Sequence, residues 1–156
     1  MIRSGKILLA EDNPRDVELT LEALREHGLA DEVVVVRDGV DALDYLLCRG
    51  EYAEREPGDP AVVLLDLKMP RMDGLEVLRK MRETPALRML PVVILTSSRD
   101  ENDLLRGYEL GTNAYVVKPV SFSDLMRTVA QLGLFWTEIN EPPPQVGSRG
   151  KDNRAQ

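Results

Sequence analysis

A doubly wound α/β fold with a five-stranded parallel sheet, (βα)5, is what this sequence predicts, on three observations. Five short, β-branched apolar runs recur along the chain, each bounded by polar, Gly or Pro residues, as buried strands are. Segments with the 3.6-residue spacing of amphipathic helices separate them. Regular alternation of the two implies right-handed crossovers and helices on both faces of the sheet. The 156 residues fit one domain of ordinary size, and 43% hydrophobic with 30% charged residues suits a globular chain.

The elements follow in order. The first strand is expected at about 6–10. A helix comes next, with Asn13 as N-cap, Pro14 in its first position, Val17, Leu21 and Leu24 on one face, and Gly28 as its stop. The second strand is about 32–36. The second helix, about 39–48, has Val40, Leu43 and Leu47 at helical spacing, and 49–60 reads as a polar loop. The third strand is 61–65, and the third helix, Gly74–Glu83, turns Val77, Leu78 and Met81 inward before Pro85 stops it. A fourth strand at 92–95 leads to a helix at about 99–110 that ends at Gly111. The fifth strand is Ala114–Val117, and the last helix begins near Ser121 with Leu125, Val129 and Leu132 on one face. After Gly133 the pattern changes to Phe135-Trp136 and Glu141-Pro-Pro-Pro144, and 145–156 reads as disordered.

Composition excludes several functions. The 20 Lys and Arg against 27 Asp and Glu leave a net charge of -7, which repels nucleic acid, so no such partner is expected. The single cysteine, Cys48, rules out an internal disulfide or a multi-cysteine metal site and suits a reducing, cytoplasmic compartment. The first apolar run ends at Glu11, too soon for a signal peptide. No run approaches the roughly 18 residues of a membrane span. His27 suits the end of the first helix and carries no catalytic role.

In a sheet of this kind the working groups sit at the carboxyl ends of the strands, which here are Glu11-Asp12, Asp66, Thr96 and Lys118. Glu11, Asp12 and Asp66 put three carboxylates in one crevice, where two like charges about 4 Å apart repel by roughly 4 kcal/mol. A hard divalent cation, Mg2+ in particular, is the natural neutraliser and also accepts phosphate oxygens. The crevice therefore fits phosphoryl transfer, in which one carboxylate attacks phosphorus while Lys118 and Thr96 hold the remaining oxygens. Each residue also has a plainer reading. Glu11-Asp12 suits a helix N-terminus, Asp66 a turn, Thr96 the lead into a helix cap and Lys118 a solvated charge. Their joint placement is what favours the chemistry.

The segments Leu8-Leu-Ala-Glu-Asp-Asn-Pro14, Leu64-Leu-Asp-Leu-Lys-Met-Pro-Arg-Met-Asp-Gly74, Ile94-Leu-Thr-Ser-Ser98 and Ala114-Tyr-Val-Val-Lys-Pro119 resemble, in this order, the CheY-like receiver domain of two-component response regulators. The likeness covers about 7–134 and implies a flavodoxin-like sheet. It implies that Asp66 is the phosphoacceptor, and that Glu11, Asp12, Asp66 and the Lys68 backbone carbonyl hold Mg2+. Thr96 would be the switch hydroxyl, Lys118 the phosphate-binding lysine and Tyr115 the rotamer switch that turns inward when Thr96 moves. The Lys118-Pro119 bond would be cis, with Lys68 and Ser98 tuning autodephosphorylation. A histidine kinase is the implied partner, and autophosphorylation and slow hydrolysis are the only catalysis expected, so the protein is a switch more than an enzyme.

On this reading 1–134 is the receiver domain. The 22 residues from Phe135 to Gln156 are an extension too short for an output domain. The extension and the loop 49–60 resemble single-domain regulators paired with bacterial phytochrome histidine kinases. That likeness implies a homodimer through the fourth helix, fifth strand, fifth helix and extension. Phe135 and Trp136 would lie in its interface, unless they merely cover the end of the sheet. Two other functions compete. A haloacid dehalogenase-type, Mg2+-dependent phosphatase needs a second Asp two residues after the nucleophile, where this chain has Lys68. A receiver-like scaffold that binds partners without phosphorylation is the other. A nucleotide or flavin site is disfavoured, because the acidic, Gly-free Glu11-Asp-Asn-Pro-Arg-Asp16 repels phosphate.

Overall fold

The computed structural model describes residues 6–144. Strands β1 (Ile7–Ala10), β2 (Val33–Val36), β3 (Val62–Leu65), β4 (Val92–Thr96) and β5 (Ala114–Val117) form one parallel sheet in the order β2-β1-β3-β4-β5. Helices α1 (Pro14–Arg25), α2 (Gly39–Leu46), α3 (Gly74–Glu83), α4 (Glu101–Glu109) and α5 (Phe122–Leu134) make the connections. The expected fold class is the observed one.

Side chains alternate across each strand, so one sheet generates two cores. Leu8, Ala10, Val63, Leu65, Val92 and Ile94 face α2 and α3. Ile7, Leu9, Val62, Leu64, Val93 and Leu95 face α1 and α5. β1 and β3 are buried along their whole length, as apolar strands covered on both faces must be. Helix α4 differs, burying only Gly107. A Cβ there would stand 2.9 Å from Ile94 Cδ1 and 3.3 Å from the Tyr115 ring, so glycine sets how closely α4 approaches the sheet.

Helix ends obey local chemistry. Asn13 Oδ1 accepts from Arg15 N and Asp16 N, with Pro14 in the first turn; Asp38, Asp73, Asp100 and Ser121 cap α2 to α5 in the same manner. Helix α4 thus begins at Glu101, two residues later than expected, because Asp100 is extended and takes the cap. Among the described residues no helix is long and apolar enough to cross a membrane.

Two local expectations change. Helix α2 buries Ala42, Leu43, Tyr45 and Leu46, with Leu47 half-buried against the same core and Val40 half-buried outside it, so its inner face is not the expected Val40-Leu43-Leu47 stripe. The stretch 49–60 is no simple polar loop. Its Arg55 is 4% exposed, lies 4.1 Å over the Tyr45 ring and donates to the carbonyls of Tyr45 (2.6 Å), Glu56 and Gly58. A guanidinium with several forked donors can be buried where the folded chain gathers enough carbonyls. Gly133 lies inside α5, which runs to Leu134. Its lack of a side chain lets the helix press against Leu24, 2.5 Å from where a Cβ would be, and the chain continues as one wide π-type turn, Phe135–Ile139. The expectation of disorder at 145–156 lies outside the described residues.

Gly74 lies where α3 starts beneath the end of β3. A Cβ there would fall 2.2 Å from the Asp66 carbonyl oxygen and 2.8 Å from Leu67 Cα, both backbone atoms that cannot step aside. Gly74→Ala is expected to lower stability by about 3 kcal/mol, at the upper end for overpacking. The midpoint of urea unfolding measures it, and a wild-type midpoint would show that the loop yields freely.

Candidate functional site

Strand register assembles the site. Ala10 pairs with Leu65 between β1 and β3, so the next residues, Glu11 and Asp66, emerge side by side. Thr96 pairs with Val117, which places Lys118 immediately beyond, and Lys118 N donates to Thr96 O at 2.8 Å. Glu11, Asp66, Thr96 and Lys118 are all buried, whereas Asp12 is exposed at the mouth.

The centre is the Lys118 ammonium. Its Nζ donates to Glu11 Oε1 at 2.6 Å, Asp16 Oδ2 at 2.7 Å and Asp66 Oδ2 at 3.0 Å, which uses all three of its donors. Asp66 Oδ1 accepts from Leu67 N at 2.7 Å. Burial alone would push the Asp66 carboxyl up, but the hydrogen bond with Glu11, the Lys118 charge and bond, and the Thr96 hydroxyl together hold it below the usual carboxylate range. Burial pushes Glu11 up to about 7 against the bond from Lys118, and the Asp66 charge adds to the rise. Burial works to lower the lysine; its bonds to Asp16 and Glu11 and the Asp66 charge raise it above its ordinary value instead. Asp66 is therefore the ionised carboxylate and Glu11 the one that shares a proton.

Glu11, Asp12 and Asp66 each present an oxygen within 4.8 Å of the others. Three carboxylate oxygens with an exposed member at the mouth are the donor set of a hard divalent cation. Lys68, two residues past Asp66, lines the open cleft beside them together with Asp12, Asp73 and Asp103. The loop carrying it is pinned at its far side. Arg71, in the left-handed region at φ 63°, ion-pairs with Asp38 at 2.8 Å and Asp41 at 3.0 Å on α2, and Met72 O packs where Gly39 lacks a side chain.

On the other flank Thr96 Oγ1 accepts from Ser98 N at 3.3 Å, and Ser98 Oγ donates to Asp103 at 2.6 Å. Tyr115 packs against the α2/α3 core and its hydroxyl donates to the Ser98 carbonyl at 3.0 Å. A continuous set of hydrogen bonds thus links the Thr96 segment, α4 and Tyr115.

One sequence expectation needs correction. The Lys118-Pro119 bond is trans, since the described residues contain no cis peptide bond. The trans form is the lower-energy isomer of an X-Pro bond, and Lys118 reaches all three carboxylates from it. Trp136 packs against the protein's own α1/α5 core, edge to face with Phe135 at 5.1 Å, so of the pair only Phe135 is exposed. Asp16 was not anticipated. It sits three residues past the Asn13 cap, where an acid is ordinarily explained by the helix dipole, and nothing in the local sequence points it at a lysine 102 residues away.

Comparison with known proteins agrees with this geometry. The family described as the response regulator receiver domain matches residues 7–130. The chain is 40% identical to the response regulator Rcp1 of Synechocystis sp. over 132 residues, 85% of this chain and 88% of that one. The crystal structure of the Mn2+-bound form of Rcp1 superposes with a TM-score of 0.79 at 37% identity, over 88% of this chain and 97% of that one. The phosphorylated cyanobacterial phytochrome response regulator RcpA gives 0.83 at 40% identity, over 90% and 99%. The bacteriophytochrome response regulator AtBRR gives 0.69 at 59% identity, over 90% and 99%.

Lys118→Met removes the one ammonium that buried Glu11 and Asp66 share. Loss of one partner from a buried ion pair typically costs 3–5 kcal/mol, so about 3 kcal/mol is expected in urea unfolding with a chelator present. Equal stability of variant and wild type would mean that the carboxylates do not depend on the lysine.

Proposed function

The chain belongs to the response regulator receiver domain family, and from that membership we propose that Asp66 accepts a phosphoryl group from a histidine kinase, with Mg2+, and so switches partner binding. One observation carries the assignment. Asp66 stands at the end of the central strand with one carboxylate oxygen 3.0 Å from the Lys118 ammonium and an acidic trio able to hold a cation beside it.

The residues divide the work. An Asp66 carboxylate oxygen attacks phosphorus, the P–N bond of the kinase phosphohistidine breaks as the P–O bond forms, and the imidazole leaves with the bonding pair. Lys118 is already within hydrogen-bonding distance of Asp66 and donates to the phosphoryl oxygens that arrive there. Thr96 supplies its hydroxyl from the adjacent strand end. Glu11, Asp12 and Asp66, with the Lys68 carbonyl, are the groups that would hold Mg2+. When bound, the ion neutralises charge on the carboxylates and on the transferring phosphoryl group. The family is one of signalling proteins and not of classical enzymes, and the catalysis proposed is limited to self-phosphorylation from small donors and slow hydrolysis.

The switch runs through the bonds already traced. Drawing Thr96 toward a phosphoryl group moves the Ser98 segment, and with it Tyr115 and the first turn of α4. That face carries exposed Leu105 and Tyr108, and Phe135 and Ile139 are exposed beyond α5. We assign this surface, α4, β5, α5 and the extension, to a homodimer, with Phe135 contributing more than the self-packed Trp136. The relatives named for phytochrome signalling support a phytochrome kinase as the donor, in the cytoplasm. Residues 1–134 would be the receiver and 135–156 an extension.

Incubation with Mg2+ and acetyl phosphate is expected to add one phosphoryl group in the intact mass, and neither Asp66→Asn nor a chelated sample should gain it. A gain that persists in Asp66→Asn would move the acceptor elsewhere. For the dimer, sedimentation at high micromolar concentration is expected to give twice the chain mass and Phe135→Glu to reduce it. A wild-type monomer with and without phosphorylation would remove that assignment.

A further inference from the structure

Three carboxylates share the Lys118 ammonium, and one of them, Asp16, stands outside the metal-binding trio of Glu11, Asp12 and Asp66. Resting on the phosphoacceptor reading of Asp66, we propose that Asp16 is a positioning residue that keeps Lys118 in the crevice while Glu11 and Asp66 are engaged with a divalent cation.

The need for such a partner follows from charge. Glu11 and Asp66 supply two of the three acceptors for Lys118. Their oxygens attract the ammonium less once they serve a cation, which is also a like charge to the lysine. A lysine stem is long and flexible and loses rotamer entropy when held. An open cleft lined by Asn13, Arg15, Ser97 and Phe122 runs alongside Lys118, so space for the side chain to swing out exists.

Asp16 is built to prevent that. Pro14 sets the first turn of α1, and Asn13 Oδ1 accepts from Arg15 N at 2.9 Å and Asp16 N at 3.2 Å, which fixes the Asp16 backbone. From there its carboxylate, 21% exposed, lies 2.7 Å from Nζ of a lysine that is 7% exposed. The restraint therefore comes from the capped first turn of α1, an element other than the strand end that carries Asp66.

The test uses the full chain in wild-type, Asp16→Asn and Asp16→Ala forms, the asparagine keeping an oxygen acceptor without the charge. With saturating Mg2+, the alanine variant is expected to gain its phosphoryl group from acetyl phosphate at least ~10-fold more slowly, the scale of loss when a reacting group's partner is misplaced. Mg2+ affinity by calorimetry is expected to stay as in wild type. In the Mg2+-loaded, unphosphorylated protein, the slowly exchanging Lys118 15Nζ signal is expected in wild type and Asp16→Asn and absent from Asp16→Ala. Asp16→Ser, with a hydroxyl too short to reach Nζ, replaces the alanine variant if that folds poorly. A wild-type rate together with a retained ammonium signal in Asp16→Ala overturns the proposal. So does a loss of Mg2+ affinity as large as the loss of rate, which would make Asp16 part of the metal set. If the wild type itself gains no phosphoryl group on Asp66, the phosphoacceptor reading fails, and the ammonium signal still decides whether Asp16 holds Lys118.

Discussion

A single buried ammonium surrounded by carboxylates is the constraint on which this molecule turns. Lys118 is nearly sealed from water, and an unpaired charge in that place would be prohibitive. It is tolerable because Glu11, Asp16 and Asp66 each accept from it. The dependence is mutual, since Glu11 and Asp66 are buried as well and would repel each other without it. Glu11 relieves part of this repulsion by taking a proton near neutrality, which leaves the negative charge on Asp66. That arrangement is what the proposed acceptor role of Asp66 requires.

Several otherwise separate features serve this one cluster. The parallel register brings β1, β3, β4 and β5 to a common edge, so residues far apart in sequence end up within a few ångströms. Gly39 lets the β2–α2 connection close on Met72 of the β3–α3 loop, and Gly74 lets that loop fold back on Asp66 and Leu67, each where a side chain would strike backbone. The Arg71 bridge to Asp38 and Asp41 holds the same closure from the surface, where exposed pairs contribute modestly and act mainly on geometry. On the opposite flank, Thr96, Ser98, Asp103 and Tyr115 carry hydrogen bonds outward to α4, the helix least embedded in the core. A helix with only one buried residue resists displacement least, which suits it to report a change at the strand ends.

Much of this was legible in the chain. The strand and helix order, the Asn13 cap, the bounds of α3 and β5, and the acidic trio with Thr96 and Lys118 all follow from short-range pattern, because burial on both faces and capping are local requirements. Failures cluster where a residue's environment is made by distant chain. Arg55 reads as a loop charge and lies buried over the Tyr45 ring; Asp16, in the first turn of a helix where an acid answers the dipole, grips Lys118. The trans Lys118-Pro119 bond corrects an expectation taken from resemblance and not from the residues themselves.

The sequence by itself determined the fold class, the edge of the sheet at which Glu11, Asp12, Asp66, Thr96 and Lys118 gather, and the residue types available there. Apolar periodicity, caps and turn residues act over a few positions and are written directly in the chain. Tertiary structure alone decided which carboxylate stays ionised, which one shares a proton, how the lysine's three donors are distributed and which aromatic of the extension remains exposed. Those are properties of distances between groups many residues apart and of the water excluded around them, and they come into being only when the strands align.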